Sequence, residues 1–222
     1  MKADYTHISI ILDRTGSMQV IRDDTIGGFN AFLEEQKAQP GSATLTLVQF
    51  DSQDPYEVIH HFRPIGEIPA LTRETYVPRA NTPLLDALGR GINDLEQCIA
   101  DLKEDDRPSQ VVFVVVTDGQ ENASREFRKD VIEKMVKQKT EEDDWQFVFL
   151  SADLDAIGDA MSLGFAMDSS LLFDKSARGS AEAWISLSKS ASDYRSRRRR
   201  KAGFVPSDRK HPKDPGRKKS GK

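Results

Sequence analysis

Apolar positions along this chain fall into two rhythms that alternate. Residues 7–12 (HISIIL) form a short run that stops at Asp13 and reads as a buried strand. From about Met18 to Gln39, apolar Val20, Ile21, Ile26, Phe29, Phe32 and Leu33 recur at helical spacing, and Pro40-Gly41 closes that helix. A second strand follows at 43–50 (ATLTLVQF). The turn-forming stretch 51–55 is too short for a crossover, so the next strand, 56–62, must run antiparallel to it at a sheet edge. Leu84, Leu85, Leu88, Ile92, Leu95, Ile99 and Leu102 then describe a long amphipathic helix, with Cys98 beside its apolar face as a small packing residue. The most apolar stretch, 111–116 (VVFVVV), has no polar face and predicts a central parallel strand buried on both sides. Beyond it the pattern predicts a helix over 127–139, a strand at 146–150, a short helix at 155–163 and a brief edge strand at 171–173. A last helix from about Ala177 loses its pattern at 197–201. Strands alternating with helices predict an α/β fold, a doubly wound Rossmann-like open sheet that is mostly parallel, with helices on both faces.

In such a sheet ligands gather beyond the carboxyl ends of the parallel strands. The first strand ends at Asp13-Arg14-Thr15-Gly16-Ser17-Met18 and the most apolar one at Thr117-Asp118-Gly119. The long helix starts after Asn81-Thr82, with Thr82 as its expected N-cap and Pro83 as its first residue. Three segments thus deliver Asp13, Thr15, Ser17, Thr82 and Asp118 to one rim. The set is oxygen-only and modestly charged, which suits a hard cation: Mg²⁺ first, with Mn²⁺ and Ca²⁺ compatible. Two carboxylates and three hydroxyls leave such an ion electrophilic, ready to take a further carboxylate.

Asp13-Arg14-Thr15-Gly16-Ser17 resembles the DxTxS form of the metal-ion-dependent adhesion site of von Willebrand factor A domains. Thr82 in ANTPLLDAL is similar to that family's distant threonine, and Asp118 in VTDG to its last aspartate. The resemblance spans about residues 5–190. It implies a six-stranded sheet in the order 3-2-1-4-5-6 with strand 3 antiparallel. It also implies that Thr15, Ser17 and Thr82 contact the metal directly while Asp13 and Asp118 act largely through water. The function implied is cation-dependent binding of an acidic group on a partner protein, with Arg14, Met18, Asn81 and the loop 72–80 shaping the contact surface. The segment TDGQENAS resembles standalone bacterial or phage members of the family.

Composition limits the alternatives. No apolar run approaches the roughly 20 residues that span a bilayer. The run at 7–12 is too short for a signal segment and no small-residue cleavage site follows it. One cysteine, Cys98, allows no internal disulfide, so a cytoplasmic monomer is the expectation. The formal net charge of -4 conceals an acidic body, with 33 acids against 18 bases over residues 1–188, and a basic remainder, with 14 bases against 3 acids. The reading therefore divides the chain into a domain at 1–194 and a disordered basic tail at 195–222 that could hold nucleic acid nonspecifically by counterion release. A metal-dependent phosphohydrolase is the other alternative, with Asp51 or Asp86 as the base. Asp51 and Asp54 could equally be a second layer around the cation or ordinary turn acids. A dehalogenase-type phosphatase lacks its second acid, because position 15 is Thr. A receiver-type phosphoacceptor would need a lysine after a late strand, and none stands out after Phe149.

Overall fold

The computed structural model describes residues 2–209, with side chains from residue 4 onward. The strands are β1 (Lys2–Asp13), β2 (Ser42–Phe50), β3 (Glu57–Pro64), β4 (Pro108–Thr117), β5 (Gln146–Ser151) and β6 (Ser170–Leu172). The helices are α1 (Arg22–Ala38), α2 (Leu84–Asp101), α3 (Lys129–Glu142), α4 (Leu154–Ser162) and α5 (Ala177–Arg195). The strands form one sheet in the order β3-β2-β1-β4-β5-β6. β3 pairs antiparallel with β2, and every other pairing is parallel. The predicted architecture and strand order are therefore those observed.

Alternation along the strands explains the layers. In β4, Val112, Val114 and Val116 face one core while Val111, Phe113 and Val115 face the other. The first core is closed by α1 and α5, whose Phe29, Phe32 and Trp184 rings pack at 6.1 Å centroid distances. Only glycine allows this approach, since a Cβ on Gly28 would lie 2.0 Å from the Trp184 ring. The second core takes the apolar faces of α2, α3 and α4. Sheet and helices thus exclude water from both sides of β1 and β4, so a polar group at their carboxyl ends is desolvated unless it reaches the rim.

Several boundaries differ from the sequence expectations. The pattern from Met18 begins as a 3₁₀ segment, Gly16–Ile21, before α1, and Val20 is left 74% exposed. α2 starts at Leu84 with Pro83 as its N-cap, so Thr82 does not cap it. α3 starts at Lys129 because the backbone N–H groups of Arg125, Glu126 and Phe127 all donate to Asp86 instead of entering a helix. The packed body also continues past 194. Arg195 is buried, with Nη1 donating to the Gln36 carbonyl at 2.7 Å, and Ala202 and Phe204 join the first core. Part of the expected basic tail is thus a folded strap, held where Phe204 N–H donates to the Asp168 carbonyl at 2.7 Å. The rest of that tail, 210–222, lies outside the described residues. Among the described residues no helix is long and apolar enough to cross a membrane.

Candidate metal centre

β1 and β4 are adjacent and parallel, so their carboxyl ends place Asp13 and Thr117-Asp118 side by side. Asp13 is fully buried. Its Oδ1 accepts the Thr15 N–H at 2.6 Å and its Oδ2 accepts the Thr117 hydroxyl at 2.5 Å. Tyr76 Oη donates to the Asp13 carbonyl at 2.6 Å, fixing the strand end itself. Burial pushes the Asp13 carboxyl up to about 7. The Thr117 and Thr15 hydrogen bonds work against that rise, and the nearby Asp118 charge adds to it. Ser17, exposed on the 3₁₀ turn, donates to Asp118 Oδ1 at 2.6 Å and lies 3.2 Å from the Thr15 hydroxyl. Four of the five expected residues therefore form one continuous group of oxygens.

Thr82 reaches the same rim through its backbone. Gly16 N–H donates to the Ala80 carbonyl at 3.0 Å and Arg79 N–H to the Arg14 carbonyl at 2.8 Å, which lays residues 79–81 across the β1 loop. On the other side Asn122 clamps Thr82: its Oδ1 accepts the Thr82 N–H at 2.9 Å, and its own N–H donates to the Thr82 carbonyl at 3.0 Å. The unpaired N–H groups of the first turn of α2 are also satisfied from this loop. Leu85 N–H donates to Glu121 at 3.0 Å and Asp86 N–H to the Ser124 hydroxyl at 3.1 Å. Glu121, Asn122 and Ser124 thus tie the segment after β4 to the start of α2. Thr82 itself is buried and does not cap the helix.

Two expected surface residues are not surface residues. Met18 is fully buried in the first core, because the 3₁₀ turn rotates it inward. Arg14 is 6% exposed: Nε donates to Asp51 Oδ2 at 2.6 Å, Nη1 pairs with Glu57, and Nη2 is buried without a partner. Asn81 is exposed as expected, and so are residues 72–75 of the loop 72–80, whereas Tyr76 is buried.

Asp51 and Asp86 are spent on structure. Asp51 Oδ2 also accepts from Arg79 at 2.9 Å, while Oδ1 accepts the Gln53 and Asp54 N–H groups. Burial alone would raise its pKa, but hydrogen bonds from Arg14, Gln53 and Arg79 outweigh that and hold the carboxyl below its ordinary value. Asp54 is a turn acid whose Oδ1 accepts the Tyr56 N–H at 3.2 Å. Sequence reasoning missed two members of the site. Thr117 could have been read beside Asp118. Lys175, in the loop between β6 and α5, brings its Nζ to 2.5 Å from Asp118 Oδ2. A lysine does follow a late strand here, after β6 at the sheet edge.

Among the described residues no group of three His, Cys, Asp or Glu side chains forms a metal cage. The rim instead has two carboxylates and a majority of hydroxyl oxygens. Asp118 Oδ2 is buried and receives no directed hydrogen bond; its contact with Lys175 is an ion pair, whose attraction needs no particular angle. A hard cation fits that oxygen and this donor set.

No protein-family model and no curated protein sequence matches the chain. Solved structures do. The pilus adhesin SpaC from Lactobacillus rhamnosus GG, in an open conformation, aligns at TM-score 0.64 and 13% identity over 87% of this chain and 30% of its own. The von Willebrand factor type A protein from Catenulispora acidiphila aligns at 0.56 and 10%, over 85% of this chain and 43% of its own. The fold is that of a von Willebrand factor A domain. Proximal thread matrix protein 1 from the mussel byssus, with a zinc-occupied metal-ion-dependent adhesion motif, aligns at 0.59 and 12%, over 85% and 46%. This von Willebrand factor A fold spans less than half the length of each of these proteins.

Proposed function

We propose that the rim of this von Willebrand factor A fold binds one divalent cation and, through it, an acidic group on a partner protein. Asp13, Thr15, Ser17, Thr82 and Asp118 would hold the ion. The observation that carries the reading is the convergence of two buried carboxylates and the Thr15 and Ser17 hydroxyls at the ends of β1 and β4, with one carboxylate oxygen lacking a hydrogen bond. Oxygen-only ligands favour Mg²⁺, with Mn²⁺ and Ca²⁺ as substitutes. The bound cation supplies an electrophile for a carboxylate oxygen. The chain's own groups do the positioning: Thr117 and the Thr15 N–H hold Asp13, Asn122 holds Thr82, and exposed Asn81 flanks the opening.

A binding role is favoured over phosphohydrolysis because both candidate bases are occupied. Asp51 accepts from two arginines, and Asp86 accepts from three backbone N–H groups. A panel of short Asp- and Glu-containing peptides tests the role. Binding to the parent in Mg²⁺ should vanish in EDTA and in Thr82→Ala. Acidic peptides that bind equally well in EDTA would contradict it.

A further inference from the structure

We infer that Lys175 is a tethered cation that occupies the metal rim from within the chain and competes with the divalent ion for Asp118. The inference rests on the metal-binding reading above and concerns how that site is regulated. Asp118 has a fully buried side chain, and its two oxygens are treated differently. Oδ1 is fixed by Ser17 at 2.6 Å. Oδ2 has no hydrogen bond and faces the Lys175 ammonium at 2.5 Å. A second buried carboxylate, Asp13, stands at the end of the adjacent strand. A buried carboxylate needs a counter-charge, and the ammonium is the cation the chain provides to Asp118.

The Lys175 side chain is suited to leaving. It is 35% exposed, and it sits in the loop just before α5, not on a strand. An ammonium on a flexible stem is a point charge that water re-solvates readily, unlike a guanidinium locked in a planar fork. It also lines a cavity of about 290 Å³ beside Asp174, Asp208 and Arg209, which gives the stem room when it swings off Asp118. A divalent ion entering the rim must displace this ammonium. The site is thereby kept formed and charge-balanced without metal, at the cost of a weaker apparent affinity.

The test compares Mn²⁺ affinity of the full chain, read from the electron paramagnetic resonance signal of free Mn²⁺, in the parent, Lys175→Met and Lys175→Arg. Lys175→Met keeps the stem and removes the charge. It should bind Mn²⁺ about tenfold more tightly than the parent, in keeping with the loss of a competing charge a few ångströms from the ligand. Lys175→Arg retains the charge and should not tighten. Equal affinity in the parent and Lys175→Met would overturn the inference while leaving the metal site standing, and so would equal tightening in both variants, which would point to bulk instead of charge. If none of the three proteins binds Mn²⁺, the metal reading itself fails and the competition with it.

Discussion

Two buried carboxylates stand at strand ends on either side of β1, and they have opposite characters. Asp51, after β2, is neutralised permanently: Arg14 is buried with it, Arg79 closes over it, and two turn N–H groups complete its shell. Asp118, after β4, has one exposed serine on Oδ1 and, on Oδ2, only an ion pair with a partly exposed lysine. Burying a charge costs several kcal/mol unless it is paired. The first station meets that cost with four hydrogen bonds, one of them from the buried Arg14. The second meets it with one hydrogen bond and one ion pair. Carboxylate content alone does not distinguish them; the number of hydrogen bonds each carboxylate accepts does.

The largest expected effect lies at the structural station. Asp51→Ala leaves the buried Arg14 with only the partly exposed Glu57 as a counter-charge and should cost about 3–5 kcal/mol of unfolding free energy in urea, with or without Mg²⁺. Asp118→Ala should instead change metal-free stability by less than about 1 kcal/mol while abolishing metal binding, because Lys175 simply returns to water. Equal destabilisation by both variants would erase the contrast.

Next in size is Asp13→Asn. Burial raises the folded pKa of Asp13 to about 7, so the folded state holds a proton that the unfolded chain releases near 4. Its contribution to stability therefore falls as pH rises between those values. Near pH 8 the neutral variant should be more stable than the metal-free parent by on the order of 2 kcal/mol, with a smaller gain near pH 5. His7, midway along β1, works in the opposite sense. Burial, with His61 nearby, lowers its pKa to about 3, so its neutral form is held in the folded state. Its contribution is complete above about 6.5 and is lost as pH falls toward 3. With the opposing Asp13 titration removed, urea stability of Asp13→Asn should rise more steeply with pH than that of the parent. A parallel pair of pH profiles would contradict the Asp13 shift.

Smaller still is Asn122→Ala, which removes no expected metal ligand but takes away the side-chain oxygen that holds the Thr82 N–H. Metal affinity should fall about tenfold with the fold retained, as for other groups that orient ligands. Arg73→Ala, which removes an exposed pair with Asp23, should leave both urea stability and metal affinity unchanged.

The sheet was legible in the sequence because each strand's burial is written locally: a two-faced apolar run for β4, and a turn too short for anything but a hairpin between β2 and β3. That Asp13 and Asp118 lie side by side was legible because both sit at strand ends, which the pattern marks. Side-chain direction after a strand end was not. Met18 turns inward only because residues 16–21 form a 3₁₀ turn, and Arg14 is drawn down by Asp51 and Glu57 from other strands. The Arg195–Phe204 strap looked like a charged tail because most of its anchors are backbone N–H groups, at Ala202, Gly203 and Phe204, which carry no side-chain signal. Lys175 carries no local signal at all; only the crossover that sets β6 beside β5 brings it to the site.

Isothermal titration with Mg²⁺ of the parent, Thr82→Ala and Asp51→Asn tests the central claim most directly. The account predicts one-site binding in the parent, its loss in Thr82→Ala with the fold intact, and its retention in whatever fraction of Asp51→Asn remains folded. Absence of Mg²⁺ binding in the parent, or loss in folded Asp51→Asn with retention in Thr82→Ala, would contradict it.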